Sequence, residues 1–297
     1  MYNGYFGFRE APFSIAPDTS FFFACPSSQA ALNTLLIAAK NGEGFIKITG
    51  EVGTGKTLLC RKFMATLDSG FVTAYISNPY LEPLSLLKAF SDLLEAPLEK
   101  DTDQYLIVKS INRRLLDLTR AGKRVLLCID EAQAMPIESL EALRLLTNLE
   151  TEKRKLLQIV LFGQPELDEK LQRDAIRQLT QRITFHYHLG PLTRDDLVFY
   201  LAHRLNVAGY AGSALFSPGA IRKLHASSGG IPRLVNILAN KALMLTYGEG
   251  RQQVAARHVK AAAKDTVASR KGFRSWWLFA ACTFMVAGIS AAWTFLK

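Results

Sequence analysis

A chain of 297 residues, 49% apolar and 21% charged, has room for about two domains and a sizeable core, and this balance excludes a disordered protein. The formal net charge of +10 points to an anionic partner, either nucleic acid or a membrane surface, unless it only serves solubility and a phosphate site.

The segment 1–26 carries Tyr5-Phe6-Gly7-Phe8 and Ala11-Pro12-Phe13-Ser14-Ile15-Ala16-Pro17-Asp18. Its aromatics and prolines argue against regular secondary structure and for an arm packed along the first domain, or covering an adenine ring. It lacks the basic start and apolar run of a secretory signal. A helix capped by Ser27 or Ser28 is expected to run to about Lys40, with Ala30, Leu32, Leu35, Leu36 and Ala39 on its apolar side, ending at Asn41-Gly42.

Phe45-Ile46-Lys47-Ile48-Thr49 alternates like a strand, and Thr57-Leu58-Leu59-Cys60-Arg61-Lys62-Phe63-Met64 reads as a helix. Between them, Gly50-Glu51-Val52-Gly53-Thr54-Gly55-Lys56-Thr57 matches G-x-x-x-x-G-K-[ST] at every position. Glycines there permit a tight turn whose backbone N–H groups face inward, against the positive end of the helix, where phosphates can sit. Lys56 would reach the β- and γ-phosphates, and the Thr57 hydroxyl would join the shell of a Mg²⁺ ion. A nucleoside triphosphate is the expected ligand.

Phe71 to Ile76 reads as a second strand, Pro83 to about Leu94 as a helix closed by Pro97, and a longer helix follows from Thr102. Val108, Ile111, Leu115 and Leu118 make one stripe on it, while Lys109, Arg113 and Arg114 form a solvated face. Arg124 to Ile129 is an apolar run that suits a central parallel strand buried on both faces. It ends in Asp130-Glu131, at the carboxyl edge where open α/β sheets bind ligands. Asp130 is expected to hold the metal shell and Glu131 to orient and polarise the attacking water.

Leu156 to Phe162 gives a third apolar strand, ending in Gly163-Gln164-Pro165, so Gln164 should lie at the same edge, within reach of a water or the γ-phosphate. Arg173, Arg177 and Arg182 precede a strand from Ile183 to His188, on which His186 and His188 share a face without a third metal ligand in view. The four cysteines, Cys25, Cys60, Cys128 and Cys282, form no C-x-x-C pair, which argues for reduced thiols and against a zinc site or disulfide framework.

From Arg194 the pattern is wholly helical: Asp195 to Val207, Pro218 to Ala226, Pro232 to Tyr247, and about Val254 to Val267. Pro232 at a helix start places Arg233 in the first turn, where a nearby anion would offset its conflict with the helix dipole. Ser275 to Leu296 then runs for 22 positions without a charge, with Trp276-Trp277 at one end and Trp293 near the other. About 20 residues suffice to cross a bilayer. Seven Lys or Arg residues between Arg251 and Arg274, against Asp265 alone, place the preceding domains on the cytoplasmic side and suit anionic lipid. The expected organisation is an arm (1–26), a P-loop α/β domain with a parallel sheet (27–190), a helical lid (191–268), a basic linker (269–275) and a transmembrane helix (276–296).

Taken in order, the phosphate loop, Asp130-Glu131, the strand-end Gln164, the arginines and the helical unit resemble the AAA+ ATPases. Tyr5-Phe6-Gly7-Phe8 with Pro12-Phe13-Ser14, Ile129-Asp130-Glu131-Ala132-Gln133 and Gly163-Gln164-Pro165-Glu166-Leu167 resemble the branch that holds general secretion pathway protein A and the MSHA pilus biogenesis protein MshM. The end of the chain one residue past Leu296 sets the expectation that the pilus side is nearer. The resemblance implies an ATP-hydrolysing homo-oligomer at the bacterial inner membrane, assisting assembly of a pilus or secretion machine. It further implies Gln164 as first sensor, Arg233 as second sensor, and Arg177 or Arg182 as the finger reaching a neighbouring subunit's γ-phosphate. Asn or Thr fills the first-sensor position in many relatives, so Gln164 is a departure. Two other readings share the same loop: a nucleic-acid-binding ATPase such as a transposition helper, which the tail disfavours, and a nucleotide-switched scaffold with little turnover.

Overall fold

The computed structural model describes residues 2–98, 103–147, 150–151 and 154–266. They form two compact units, one of residues 16–196 and one of residues 2–15 with residues from Leu197 onward.

The larger unit is an α/β layer structure. A helix α2 (Pro26–Asn41) leads into β1 (Phe45–Thr49), α3 (Lys56–Thr66), β2 (Phe71–Ile76), α4 (Pro83–Leu93), α5 (Gln104–Arg120) and β3 (Arg124–Ile129). Then follow α6 (Ile137–Leu146), the short strands β4 (Glu150–Thr151) and β5 (Arg154–Lys155), β6 (Leu157–Gly163), α7 (Glu166–Leu171), α8 (Arg177–Thr180) and β7 (Ile183–His188). Five strands make one parallel sheet in the order β2-β3-β6-β1-β7, and β4 with β5 forms a separate antiparallel pair.

Strand alternation explains why β3 and β6 are apolar throughout. Val125, Leu127 and Ile129 enter one core with Ile159 and Leu161, beneath α4, α5 and α6. Leu126 and Cys128 enter the other with Val160 and Phe162, beneath α2 and α3. A strand covered on both faces has no solvent side to mark with polar residues. Cys25, Cys60 and Cys128 are buried free thiols.

Three local expectations are corrected. Ser27 and Ser28 do not cap α2: Cys25 holds the N-cap position, Pro26 opens the helix with its fixed φ, and the Ser28 hydroxyl donates to the carbonyls of Phe23 and Cys25. The arm is not devoid of regular structure, since Tyr2–Phe6 forms the short helix α1. Nor does the arm lie as one piece along the first domain. Residues 2–15 belong to the helical unit and only residues 16–25 to the α/β unit.

That helical unit contains most of α9 (Arg194–Val207), then α10 (Pro218–Ser228), α11 (Pro232–Gly248) and α12 (Ala256–Lys264). Aromatic edges hold the arm there: Phe6, Phe8 and Phe13 are buried, with Tyr5 against Tyr247, Phe8 against Tyr210 and Phe13 against Phe216. Arg204, 4% exposed, donates through Nε to the Pro12 carbonyl and through Nη2 to that of Ser14 at 2.9 Å. A buried guanidinium needs such acceptors, and an arm with prolines leaves carbonyls unpaired to supply them. No helix among the described residues is long and apolar enough to cross a membrane. The expected span 276–296 and the linker before it lie outside the described residues.

Candidate functional site

The site is built at the carboxyl edge of the sheet, where β1, β3 and β6 end side by side. Thr49 pairs with Gly163, and β3 reaches Ile129 opposite Leu161. Residues 50–57, 130–131 and 164 therefore leave adjacent strands at one edge.

The loop after β1 is held by its own backbone. Gly53 and Gly55 have φ of +84° and +103°, and Gly50 fits where a Cβ would stand 2.6 Å from the Leu189 carbonyl oxygen. The Thr54 hydroxyl donates to the Glu51 carbonyl at 2.9 Å. Val52 is exposed at the rim, and Lys56, the first residue of α3, is 5% exposed. Its Nζ folds back onto the carbonyls of Gly50 at 2.7 Å and Glu51 at 3.0 Å. Burial lowers its pKa, while Glu131, Asp130 and Glu51 act in the opposite sense.

Thr57 and Asp130 are in contact: the Thr57 hydroxyl donates to Asp130 Oδ2 at 2.5 Å. Asp130, 3% exposed, also accepts the Glu131 backbone N–H on Oδ1 at 2.9 Å and the Tyr75 hydroxyl on Oδ2 at 3.4 Å. Burial first, then the Asp130 charge, push the Tyr75 phenol up to about 12. A hydroxyl and a carboxylate this close are hard oxygen donors suited to Mg²⁺.

Glu131 stands in the left-handed region at φ +53°, the start of a short 3₁₀ turn, Ala132–Ala134. A non-glycine residue held there is strained, which turns its side chain away from the course the strand would give it. Glu131 Oε2 accepts from Gln133 Nε2 at 2.6 Å and from Gln164 Nε2 at 2.9 Å. Gln133 also accepts the Gln164 backbone N–H on Oε1 at 3.0 Å, and its own carbonyl accepts from Lys170. Both amides thus converge on the same carboxylate oxygen. Gln164 is expected at this edge from its place after an apolar strand, whereas Gln133 has no role foreseen from its sequence context. Its signal was its place two residues after Glu131, where the 3₁₀ turn carries a side chain back over the acid.

The arginines divide. Arg182 is half-buried and donates through Nη1 to the Thr147 hydroxyl at 3.0 Å, at the end of α6. Arg177 is exposed at the first position of α8. Arg233 is exposed at the second position of α11, in the helical unit. His186 and His188 share a face of β7, and both lie within 3.4 Å of the Thr49 hydroxyl.

A glycine-bent loop capping a helix, a buried lysine, a Thr-Asp pair and an acid on neighbouring parallel strands define a P-loop nucleotide-binding ATPase fold with an appended helical unit. Comparison with known proteins gives the family. The AAA domain profile matches residues 39–171. General secretion pathway protein A of Aeromonas hydrophila is 42% identical over 265 residues, spanning 89% of this chain and 48% of the relative. The chain belongs to the AAA+ ATPases of the general secretion pathway protein A type, and it spans about half the length of that relative. Solved structures agree on fold. Cdc6p from Pyrobaculum aerophilum superposes with a TM-score of 0.62 at 18% identity, covering 84% of this chain and 70% of that one. The Aeropyrum pernix ORC2 protein gives 0.59 at 17%, covering 82% and 71%. At such identities the likeness speaks for architecture alone.

Proposed function

We propose that this protein is a membrane-anchored cytoplasmic ATPase of the bacterial inner membrane that couples ATP binding and hydrolysis to assembly of a pilus or secretion machine. The observation that carries the hydrolytic part is the convergence of Thr57, Asp130, Glu131 and Gln164 at one sheet edge, all four joined in a chain by three hydrogen bonds. The assembly role rests on the likeness to a secretion-pathway protein.

In this reading the backbone N–H groups of residues 50–57 wrap the phosphates at the start of α3. Lys56 leaves the Gly50 and Glu51 carbonyls for the β- and γ-phosphate oxygens, exchanging neutral acceptors for charged ones. Thr57 and Asp130 hold Mg²⁺, which would neutralise phosphate charge as the bond to the γ-phosphorus breaks. Glu131 orients the water whose oxygen joins phosphorus, and the water's proton passes through its carboxylate towards the phosphate product. Gln164 acts as first sensor, because its amide spans from the acid to the strand end nearest the γ-phosphate.

Arg177 is better placed than Arg182 to act in a neighbouring subunit of a homo-oligomer. It is exposed, whereas Arg182 is already engaged with Thr147. Arg233 serves as second sensor from the helical unit. The segment 276–296 supplies the anchor, and the basic residues before it meet anionic lipid.

The test uses Glu131→Gln, which should bind ATP with near-native affinity while steady-state turnover falls about 10²-fold or more. Retained turnover would remove the water-activating role. Purified from membranes with ATP, the same variant should retain pilus or secretion assembly proteins that Lys56→Ala does not. Identical co-purifying sets would sink the assembly role and leave the ATPase chemistry standing.

A further inference from the structure

The amino edge of the same sheet holds a second polar cleft, of about 480 Å³, that the nucleotide site does not use. It is lined by the ends of α2 (Asn41, Gly42) and α5 (Thr119, Gly122), the starts of β3 (Lys123 to Val125) and β6 (Leu156, Gln158), and Lys155 of β5. This volume falls in the range of about 300–1,000 Å³ common for small-molecule sites.

Three features define what would fit. Among the described residues, the lining includes three cations, Lys123, Arg124 and Lys155, and no carboxylate. Two of the cations are partly occupied: Lys123 donates to the Ser69 carbonyl at 2.6 Å, and Arg124 Nη1 donates to the carbonyls of Ala39 and Lys40 at the end of α2. The Arg124 contacts, made through Nη1, answer the negative end of α2. Lys155 is exposed and makes no such contact among the described residues, with its Nζ close over Gly44. The cleft therefore keeps positive charge in excess of what the helix ends need.

The third feature is Gln158. It is 4% exposed, and its Nε2 donates to the Ala39 carbonyl at 3.0 Å. Its Oε1 is buried without any partner. Turning the amide over would set oxygen against the Ala39 oxygen, so the acceptor is fixed as the open atom. An orphaned buried acceptor costs about 1–3 kcal/mol. A ligand hydroxyl would satisfy it.

We propose that this cleft binds a small phosphate ester that also carries a hydroxyl, with the phosphate on Lys155 and Arg124 and the hydroxyl donating to Gln158 Oε1. Phosphoglycerol chemistry has both groups, and it occurs free and as a lipid headgroup.

The probe is sn-glycerol 3-phosphate, titrated calorimetrically into the full chain with saturating Mg-ADP, which keeps the phosphate loop filled. Saturable binding is expected. Lys155→Ala should weaken it about tenfold, about 1.4 kcal/mol, with ADP affinity unchanged. Gln158→Met, similar in length and apolar, should weaken sn-glycerol 3-phosphate more than inorganic phosphate. Absence of saturable heat, or equal titrations of the wild-type protein and Lys155→Ala, would overturn the proposal. A soluble short-chain phosphatidylglycerol, titrated in the same way, separates the two sources. Binding weakened by Lys155→Ala assigns the site to the headgroup. Binding absent or indifferent to Lys155→Ala, beside a Lys155-dependent signal for sn-glycerol 3-phosphate, assigns the site to the free ester. ADP binding unaltered in every variant also keeps this outcome separate from the proposed ATPase function.

Discussion

At the carboxyl edge of the sheet, Lys56 is buried among Asp130, Glu131 and Glu51, and the anion-binding groups are largely backbone N–H. At the amino edge, Lys123, Arg124 and Lys155 line a cleft with no carboxylate among its described lining residues. Both edges carry positive groups, but among the described residues only one carries acids beside them. A site of mixed charge suits a ligand that brings its own metal cation, in keeping with the proposed hold of Thr57 and Asp130 on Mg²⁺. A site of single charge suits a bare anion. The same strands serve both: β3 runs from Arg124 to the residue before Asp130, and β6 from Leu157 to the residue before Gln164.

The contrast is broken most directly by removing the lysine of each edge. Lys56→Ala should lower ATP affinity about 10²-fold or more, since it deletes a charge-assisted contact in a dehydrated site. Lys155→Ala should leave ATP affinity within about twofold. Equilibrium titration with a fluorescent ATP analogue reads both. Equal losses would mean that the amino edge belongs to the nucleotide site and that the division drawn above is wrong.

Within the carboxyl edge, Gln133 decides how firmly the acid is held. Its amide joins Glu131 to the backbone of Gln164, so it is a positioning residue. Gln133→Leu keeps the bulk and removes both hydrogen bonds. The kcat for ATP hydrolysis should fall about tenfold, with KM for ATP within about twofold, because the phosphate contacts are untouched. A purely structural role would lower thermal stability and raise KM while sparing kcat. The expected cost in stability is about 1 kcal/mol, as for other half-buried hydrogen bonds.

How much of this was legible follows from which forces act locally. The phosphate loop, β2 and β7 could be read residue by residue, because glycine placement and strand alternation are properties of a few neighbours. Asp130 and Glu131 were legible for the same reason, sitting directly after an apolar run. The helix α6 and the pair β4–β5 escaped notice: α6 starts after Pro136, crowded against the acidic motif, and each strand of the pair has only two residues, too few for periodicity to show. The arm was misjudged because its aromatics look alike whichever unit they cover. The buried Arg204, nearly 200 positions away in sequence, takes the carbonyls of Pro12 and Ser14, and Asn236 also donates to that of Ser14. The cleft at the amino edge was invisible because Gln158 reads as one polar residue in an apolar strand. Its orphaned oxygen depends on the end of α2, more than a hundred residues earlier.

The smallest effect tests the charge contrast through a residue that takes no part in the chemistry. Tyr75 is half-buried at the carboxyl edge, and its phenol is pushed up to about 12 by burial and by Asp130. Its proton is held more tightly in the native state than in the unfolded one, whose ordinary value is 10.0. Between those values the unfolded chain binds fewer protons, so this group's stabilising contribution is complete below pH 10 and declines as pH rises towards 12. Tyr75→Phe should remove that part of the alkaline slope, by an amount kept small because solvent screens a half-exposed group. It should also delete a tyrosinate step near pH 12 in a native-state absorbance titration. If the variant instead lost a step near pH 10, neither burial nor the Asp130 charge would be raising the Tyr75 pKa.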